Sequence, residues 1–189
     1  MSVRIRPVSE ADAAALAAIY APYVSETTVS FEKDPPDAAE FLRRIRSVTE
    51  FYPWLVYEAD GVVLGYAYAS PQGARYAYRT SAYLSVYADR EHLHRGIGRA
   101  LYGVLLELLR RMGIHAVWAA VSVPNPPSEG LHTALGFSRV GLFPEVGRKF
   151  DEWMNLGWFS KILSPEPAPA LRAFSSLSAE ERRAAGLSE

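Results

Sequence analysis

The 189-residue sequence predicts a mixed α/β domain, a central sheet of six to seven strands, part parallel and part antiparallel, flanked by helices. Three observations carry that class. A strand–helix–strand unit occupies residues 82–123, and its second strand, HAVWAAVSV, is nearly all apolar, as parallel strands covered on both faces are. The segment WLVYEADGVVLGYAYAS contains two β-branched and aromatic runs, 54–59 and 62–70, that meet at Asp60-Gly61, the turn chemistry of an antiparallel hairpin. Apolar stripes with helical period fill the stretches between such runs.

Residues 3–6 alternate as a short strand. Ser9 and Asp12 form a capping-box pattern for a helix expected to reach about Val24, and Pro22, which lacks an N–H, is expected to bend or end it. A second helix starts after Pro35-Pro36 with Asp37 as cap, shows Phe41, Leu42 and Ile45 on one face, and is closed by Pro53. After the hairpin and a loop, the strand at 82–88 leads into a helix with Leu101, Val104, Leu105, Leu108 and Met112 at three- and four-residue steps and Gly113 as its stop. Asn125-Pro126-Pro127 starts another helix and Gly136 ends it, and residues 137–163 give two aromatic-rich strands. The domain is expected to span 1–163. In the remaining 164–189, SPEPAPALRAF reads as an extended connector, and Ser178, Glu181 and Gly186 outline a short capped helix. That tail is expected to stay mobile or to dock through Leu171, Phe174 and Leu177.

Composition removes several classes of function. With 49% hydrophobic and 22% charged residues the chain is an ordinary globular domain, and a net charge of −1 offers no basic field for nucleic acid or an anionic membrane. The absence of cysteine excludes disulfides, thiolate metal sites and a cysteine nucleophile. No apolar run is long enough to span a bilayer and MSVRIRPVSEAD lacks a signal segment, so a soluble, unexported, cytoplasmic protein is expected.

The chemistry concentrates in HLHRGIGRALYGVLLELLRRMG, residues 92–113. Two glycines before a helix leave N–H groups unshielded where orphan donors and a partial positive charge collect, which suits an anion. A dinucleotide fingerprint is incomplete, because Leu101 holds its third glycine position and no carboxylate ends the next strand. A G-x-x-x-x-G-K-[ST] phosphate loop is absent. What remains is a pyrophosphate held by consecutive N–H groups with His94, Arg95 and Arg99 assisting, or a plain strand-to-helix turn. His92 and His94 form a His-x-His pair, but without cysteine or a nearby acidic partner they are read as histidines around a phosphate loop, with no metal expected.

YADREHLHRGIGRALY followed by NPPSEGLHTALGF resembles the acetyl-CoA-binding core of the GNAT family of N-acetyltransferases, whose pattern is [QR]-x-x-G-x-[GA] at a helix start. SFEKDPP, YPWLVYEADGVVLGYAYA, GARYAYR and VGRKFDEWMNLGWF resemble the branch containing phosphinothricin and methionine-sulfone N-acetyltransferases, so the likeness runs from residue 3 to about 163. It implies a GNAT-type fold in which the central mixed sheet is splayed and acetyl-CoA, as co-substrate, lies between the strands at 84–88 and 116–123. By resemblance Val86 and Ala88, with Tyr87 between them, serve the pantetheine arm. His94, Arg95, Gly96, Ile97, Gly98 and Arg99 cradle the pyrophosphate, and Asn125 contacts the cofactor or simply caps its helix.

The resemblance also implies chemistry. His132, in H-x-x-L-G-F, is expected as general acid or substrate-orienting group, with local packing as its alternative. The family's glutamate base is replaced by Tyr83, which leaves a tyrosine–water relay, and a phenol of pKa about 10 is a poor base at neutral pH. Arg75 and Tyr78 match residues of the amino-acid pocket, Phe31, Tyr76 and Lys149 are wall or entrance residues, and Gly73 stands where herbicide-detoxifying members carry lysine. Leu93 opens the signature in place of Gln or Arg. The expected activity is direct acetyl transfer to the amine of a small amino acid or related molecule. The alternatives are acylation of a protein N-terminus and a CoA-binding regulatory module without catalysis. A homodimer through the final strands or tail is expected by analogy.

Overall fold

The computed structural model describes residues 2–164 and 170–188. The strands in chain order are β1 (Val3–Pro7), β2 (Trp54–Ala59), β3 (Val62–Pro71), β4 (Ser81–Ala88), β5 (Ala116–Val123), β6 (Ser138–Lys149) and β7 (Glu152–Ile162). The helices are α1 (Ala13–Ser25), α2 (Ala38–Thr49), α3 (Ile97–Arg111), α4 (Pro126–Ala134) and α5 (Ala179–Ala184). One sheet runs β1-β2-β3-β4-β5-β7-β6, antiparallel at every step except the parallel β4–β5 pair.

Each face of the sheet carries its own core. On one side α1 and α2 cover an aromatic cluster in which Phe41 meets Trp54 and Tyr66 edge-on and Trp54 stacks on Tyr68 at 4.2 Å. On the other, Leu101, Leu105, Leu108 and Leu109 of α3 are fully buried against Leu55, Ala67 and Leu84. Each such leucine contributes about 1.5–3 kcal/mol by leaving water. Arg6 of β1 binds both oxygens of Asp12 at 2.8 Å and also Glu58 of β2, fastening the first strand to the entry of α1.

Two expectations meet the structure differently. Pro22 does not end α1, which continues to Ser25, because it falls in the last turn and removes only one helical hydrogen bond there; Glu26 N–H still reaches the Pro22 carbonyl at 3.1 Å. The tail docks. Phe174 and Leu177 are buried in the α3 cluster, Phe174 N–H donates to Phe51 C=O, Arg172 N–H to Met112 C=O and Ser188 N–H to Ile5 C=O. Ser178 and Glu181 cap α5 as the sequence suggested. Residues 165–169 of the expected connector lie outside the described residues.

Candidate active site

The parallel pair lasts three rungs: Ser81 with Ala116, Ala82 with Val117 and Tyr83 with Trp118. Beyond them β4 stays with β3 as far as Ala88–Gly65, and β5 stays with β7 as far as Val123–Asn155, so a wedge opens between β4 and β5. Alternation along the strand decides which backbone groups face it. Thr80 C=O accepts from His115 N–H on the β5 side, and Asp89 N–H donates to Leu64 C=O on the β3 side. With a period of two, the groups of Leu84, Val86 and Ala88 turn toward the wedge and those of Ser85 and Tyr87 toward β3. The Ala88 carbonyl is taken by the Tyr23 hydroxyl at 2.6 Å. On the opposite wall Ala120 N–H donates to the Tyr83 hydroxyl at 3.2 Å.

The glycine turn lies beyond the wide end of the wedge. His94 has φ 61° and Gly96 has φ 78°, the left-handed conformation that turns the chain into α3. The amides of Ile97, Gly98 and Arg99 precede the first helical bond, Ala100 N–H to Gly96 C=O. A Cβ on Gly98 would stand 3.2 Å from the Leu131 side chain of α4 and 3.7 Å from that of Val86, so glycine lets the turn approach both walls closely. Arg95, Arg99 and His94 are exposed and form no ion pair among the described residues, while His92 leans on Asp89 at 3.2 Å. Leu93 points outward, 43% exposed.

Helix α4 supplies the far wall. Asn125 Oδ1 accepts from Ser128 N–H at 3.3 Å while Glu129 accepts from Asn125 N–H at 2.9 Å, a reciprocal cap that also leaves Asn125 lining the wedge. His132, 2% exposed, is packed by the rings of Tyr102, Phe137 and Phe159. Its Nδ1 lies 2.7 Å from Ser128 C=O, and a carbonyl only accepts, so Nδ1 holds the proton and the buried Nε2 is a bare acceptor. Burial lowers its pKa, against the pull of the Ser128 carbonyl. A neutral ring in this tautomer presents an acceptor and no donor at Nε2. Burial also pushes the pKa of Tyr83 up, against the backbone hydrogen bond from Ala120, so the phenol holds its proton more tightly than in water.

The expected acceptor residues fall into two groups. Lys149 Nζ donates to Ser30 C=O at 2.7 Å, and the Phe31 ring lies against Gly147, where a Cβ would come within 2.6 Å of it. Ser30 also pairs with the Tyr20 hydroxyl at 2.6 Å, and Arg44 grips Glu32 with two bonds, so this segment holds Val29 in the wedge wall. Arg75, Tyr76 and Tyr78 sit instead on the exposed connector between β3 and β4 and do not line the wedge. There Arg79 stacks over Tyr76 at 4.1 Å. Tyr87 has its backbone turned to β3 and reaches the wall with its ring, which Tyr20 meets edge-on at 4.7 Å.

Sequence reasoning missed Val29 and Tyr102 as wall residues. For Val29 no signal existed, because a loop residue is brought there by long-range bonds. For Tyr102 there was one: a phenol beside Leu101 on a buried helix face needs a partner for its hydroxyl.

A cleft between parted parallel strands, flanked by a helix N-terminus with unshielded amides, defines a protein that takes an extended chain ending in an anionic group. Residues 5–158 match the acetyltransferase (GNAT) domain, and the chain belongs to that family. It is 37% identical over 167 residues to the phosphinothricin N-acetyltransferase of Streptomyces viridochromogenes, covering 88% of this chain and 91% of that one. It is 36% identical over 170 residues to the L-methionine sulfoximine/L-methionine sulfone acetyltransferase of Pseudomonas aeruginosa, covering 87% and 97%. An acetyltransferase of Salmonella typhimurium solved with acetyl-CoA superposes with a TM-score of 0.86 at 32% identity, covering 89% of this chain and 98% of that one.

Proposed function

We propose that the wedge takes acetyl-CoA and that the chain passes its acetyl group directly to the amine of a small amino acid or related molecule. The observation that carries this reading is the parting of β4 from β5, which leaves Val86 and Ala88 N–H aimed into a gap ending at the glycine turn. Buried strand amides without a partner are costly, and an extended pantetheine arm satisfies them as a further strand would. The amides of Ile97 to Arg99, with Arg95, Arg99 and His94 beside them, suit the pyrophosphate. Asn125 edges the same path. The names of the relatives support an amino-acid-like acceptor.

Acetyl-CoA brings an activated thioester carbonyl, and the protein's part is to position a neutral amine against it. An amine of pKa about 10.4 must spend about 4.6 kcal/mol to be neutral at pH 7, an α-amine near 7.8 only about 1 kcal/mol. With Tyr83 protonated and no carboxylate on the wedge wall among the described residues, the α-amine is the acceptor this site favours. Phe31 and Lys149 flank its entrance, His132 orients it, and Arg75 with Tyr76 and Tyr78 is the group we assign to its carboxylate. We also assign the protein to the cytoplasm; among the described residues no helix is long and apolar enough to cross a membrane. A homodimer through β6 accounts for the exposed Val140, Leu142, Phe143 and Val146 on that edge strand.

The test is calorimetric titration with acetyl-CoA, followed by thiol release over a panel of amino acids, amines and N-terminal peptides from pH 6 to 9. Turnover on amino acids supports the reading. Binding without turnover on any amine favours a regulatory module, and turnover on peptides alone favours a protein N-terminus. Arg75→Ala is expected to raise the acceptor's KM at least tenfold, a loss of about 1.4 kcal/mol, and to leave that of acetyl-CoA unchanged. Equal effects on both remove Arg75 from the acceptor site.

A further inference from the structure

We propose that the Tyr83 hydroxyl is the hydrogen-bond donor that holds the acyl oxygen during transfer. The inference rests on the acetyl-transfer reading above and gives a role to a phenol that keeps its proton. Tyr83 forms the last rung of the β4–β5 ladder, and its hydroxyl reaches across to Ala120, a residue of the wedge wall. Its oxygen accepts Ala120 N–H from the opposite strand, which fixes the hydroxyl between the two walls. A phenol has one proton, and among the described residues that proton has no recorded acceptor. Donation from Ala120 into the oxygen polarises the O–H and strengthens it as a donor. Burial keeps the proton in place through the neutral range.

Other polar groups on the wall are less suited. His132 presents a bare nitrogen that accepts only. Tyr102 lies on the α3 side, near enough to Tyr83 and Tyr68 for their charges to interact, and is the competing phenol. As the amine lone pair forms the C–N bond, the carbonyl π pair moves onto oxygen, where the Tyr83 O–H meets the developing charge. Return of that pair breaks the C–S bond and releases the thiolate. The ammonium proton passes to water and the thiolate takes one from water, so Tyr83 keeps its own proton throughout.

Tyr83→Phe removes the donor and retains the ring. Loss of one such donor is expected to lower kcat about 100-fold while the Kd of CoA itself, which has no acyl oxygen, changes less than about threefold. Infrared spectra of bound acetyl-CoA labelled with 13C at the carbonyl give a readout independent of turnover. The band lies below its solution position in the unsubstituted protein and returns to it in Tyr83→Phe. Incorporating 3-fluorotyrosine at position 83 strengthens the donor and lowers the band further, and it decides the matter if Tyr83→Phe does not fold. A band unmoved by either change, or one released by Tyr102→Phe and held in Tyr83→Phe, overturns the proposal. Failure of the unsubstituted protein to bind acetyl-CoA overturns the transfer reading and this role with it; binding and turnover with an unshifted band overturn only the role of Tyr83.

Discussion

Strand β4 behaves as two strands joined at Tyr83. Its first three residues have neighbours on both sides, β3 and β5, and belong to an ordinary sheet interior. Its remaining five have β3 on one side and the wedge on the other. Composition does not separate the halves, since SAY and LSVYA are both apolar and aromatic. What separates them is the partner. Strand β5 follows β7 through Val123 and abandons β4 after Trp118, so identical backbone chemistry is structural in one half and open to a ligand in the other. A functional backbone group is thus made by withholding a neighbour, and an unpaired buried group costs about 1–3 kcal/mol until a ligand meets it.

The sharpest way to break the open half is at its mouth. A Cβ on Gly96 would meet no protein atom within 4 Å, so the φ of 78° is the constraint that Gly96→Val violates. A β-branched residue there costs about 2 kcal/mol, and acetyl-CoA affinity is expected to fall about 30-fold by calorimetry. Gly96→Asn, which tolerates the left-handed region, is expected to stay within a few fold. Equal losses in both variants mean that the turn's conformation is not what holds the ligand.

A smaller change tests the alternation itself. Replacing the amide of Val86 by an ester deletes one N–H aimed into the wedge, and the same replacement at Tyr87 deletes one aimed at β3. At about 1–1.5 kcal/mol per hydrogen bond, the Val86 ester is expected to weaken acetyl-CoA about tenfold with little change in melting temperature. The Tyr87 ester is expected to lower unfolding stability by about 1 kcal/mol with affinity unchanged. Reversed outcomes mean that the strand is turned the other way.

These contrasts were only partly written in the sequence. The hairpin at Asp60-Gly61, the capped helices and the glycine turn are local, fixed by turn chemistry and periodicity within a few residues, and they were legible. So was the identity of the two strands that form the wedge. That their pairing stops at Tyr83 follows from competition between β4 and β7 for β5, a property of the assembled sheet. Tyr83 and His132 were marked as chemical positions, yet their charge states depend on burial and on bonds to Ala120 N–H and Ser128 C=O, which no spacing rule reveals. The docked tail was offered as one of two outcomes, and burial of Phe174 and Leu177 against α3 decides between them.

The gentlest test concerns the wall of the open half, which is neutral where the turn beside it is cationic. Among the described residues His132 is the only imidazole in that wall, enclosed by the uncharged rings of Tyr102, Phe137 and Phe159, and burial holds its pKa below the ordinary histidine value of about 6.5. In the unfolded chain it protonates near that value and in the folded chain only at lower pH. The unfolded state therefore binds more protons between the two values, and stability is retained above about 6.5 and lost as pH falls toward the folded value. The contribution to the slope is at most about 1.4 kcal/mol per pH unit. His132→Gln removes the titration, so denaturant unfolding of this variant between pH 7.5 and 5 is expected to show a flatter profile than the unsubstituted protein, whatever its absolute stability. Parallel profiles mean that the ring takes up its proton as easily inside the wall as in water, and the wall of the wedge is then not the neutral counterpart of the turn.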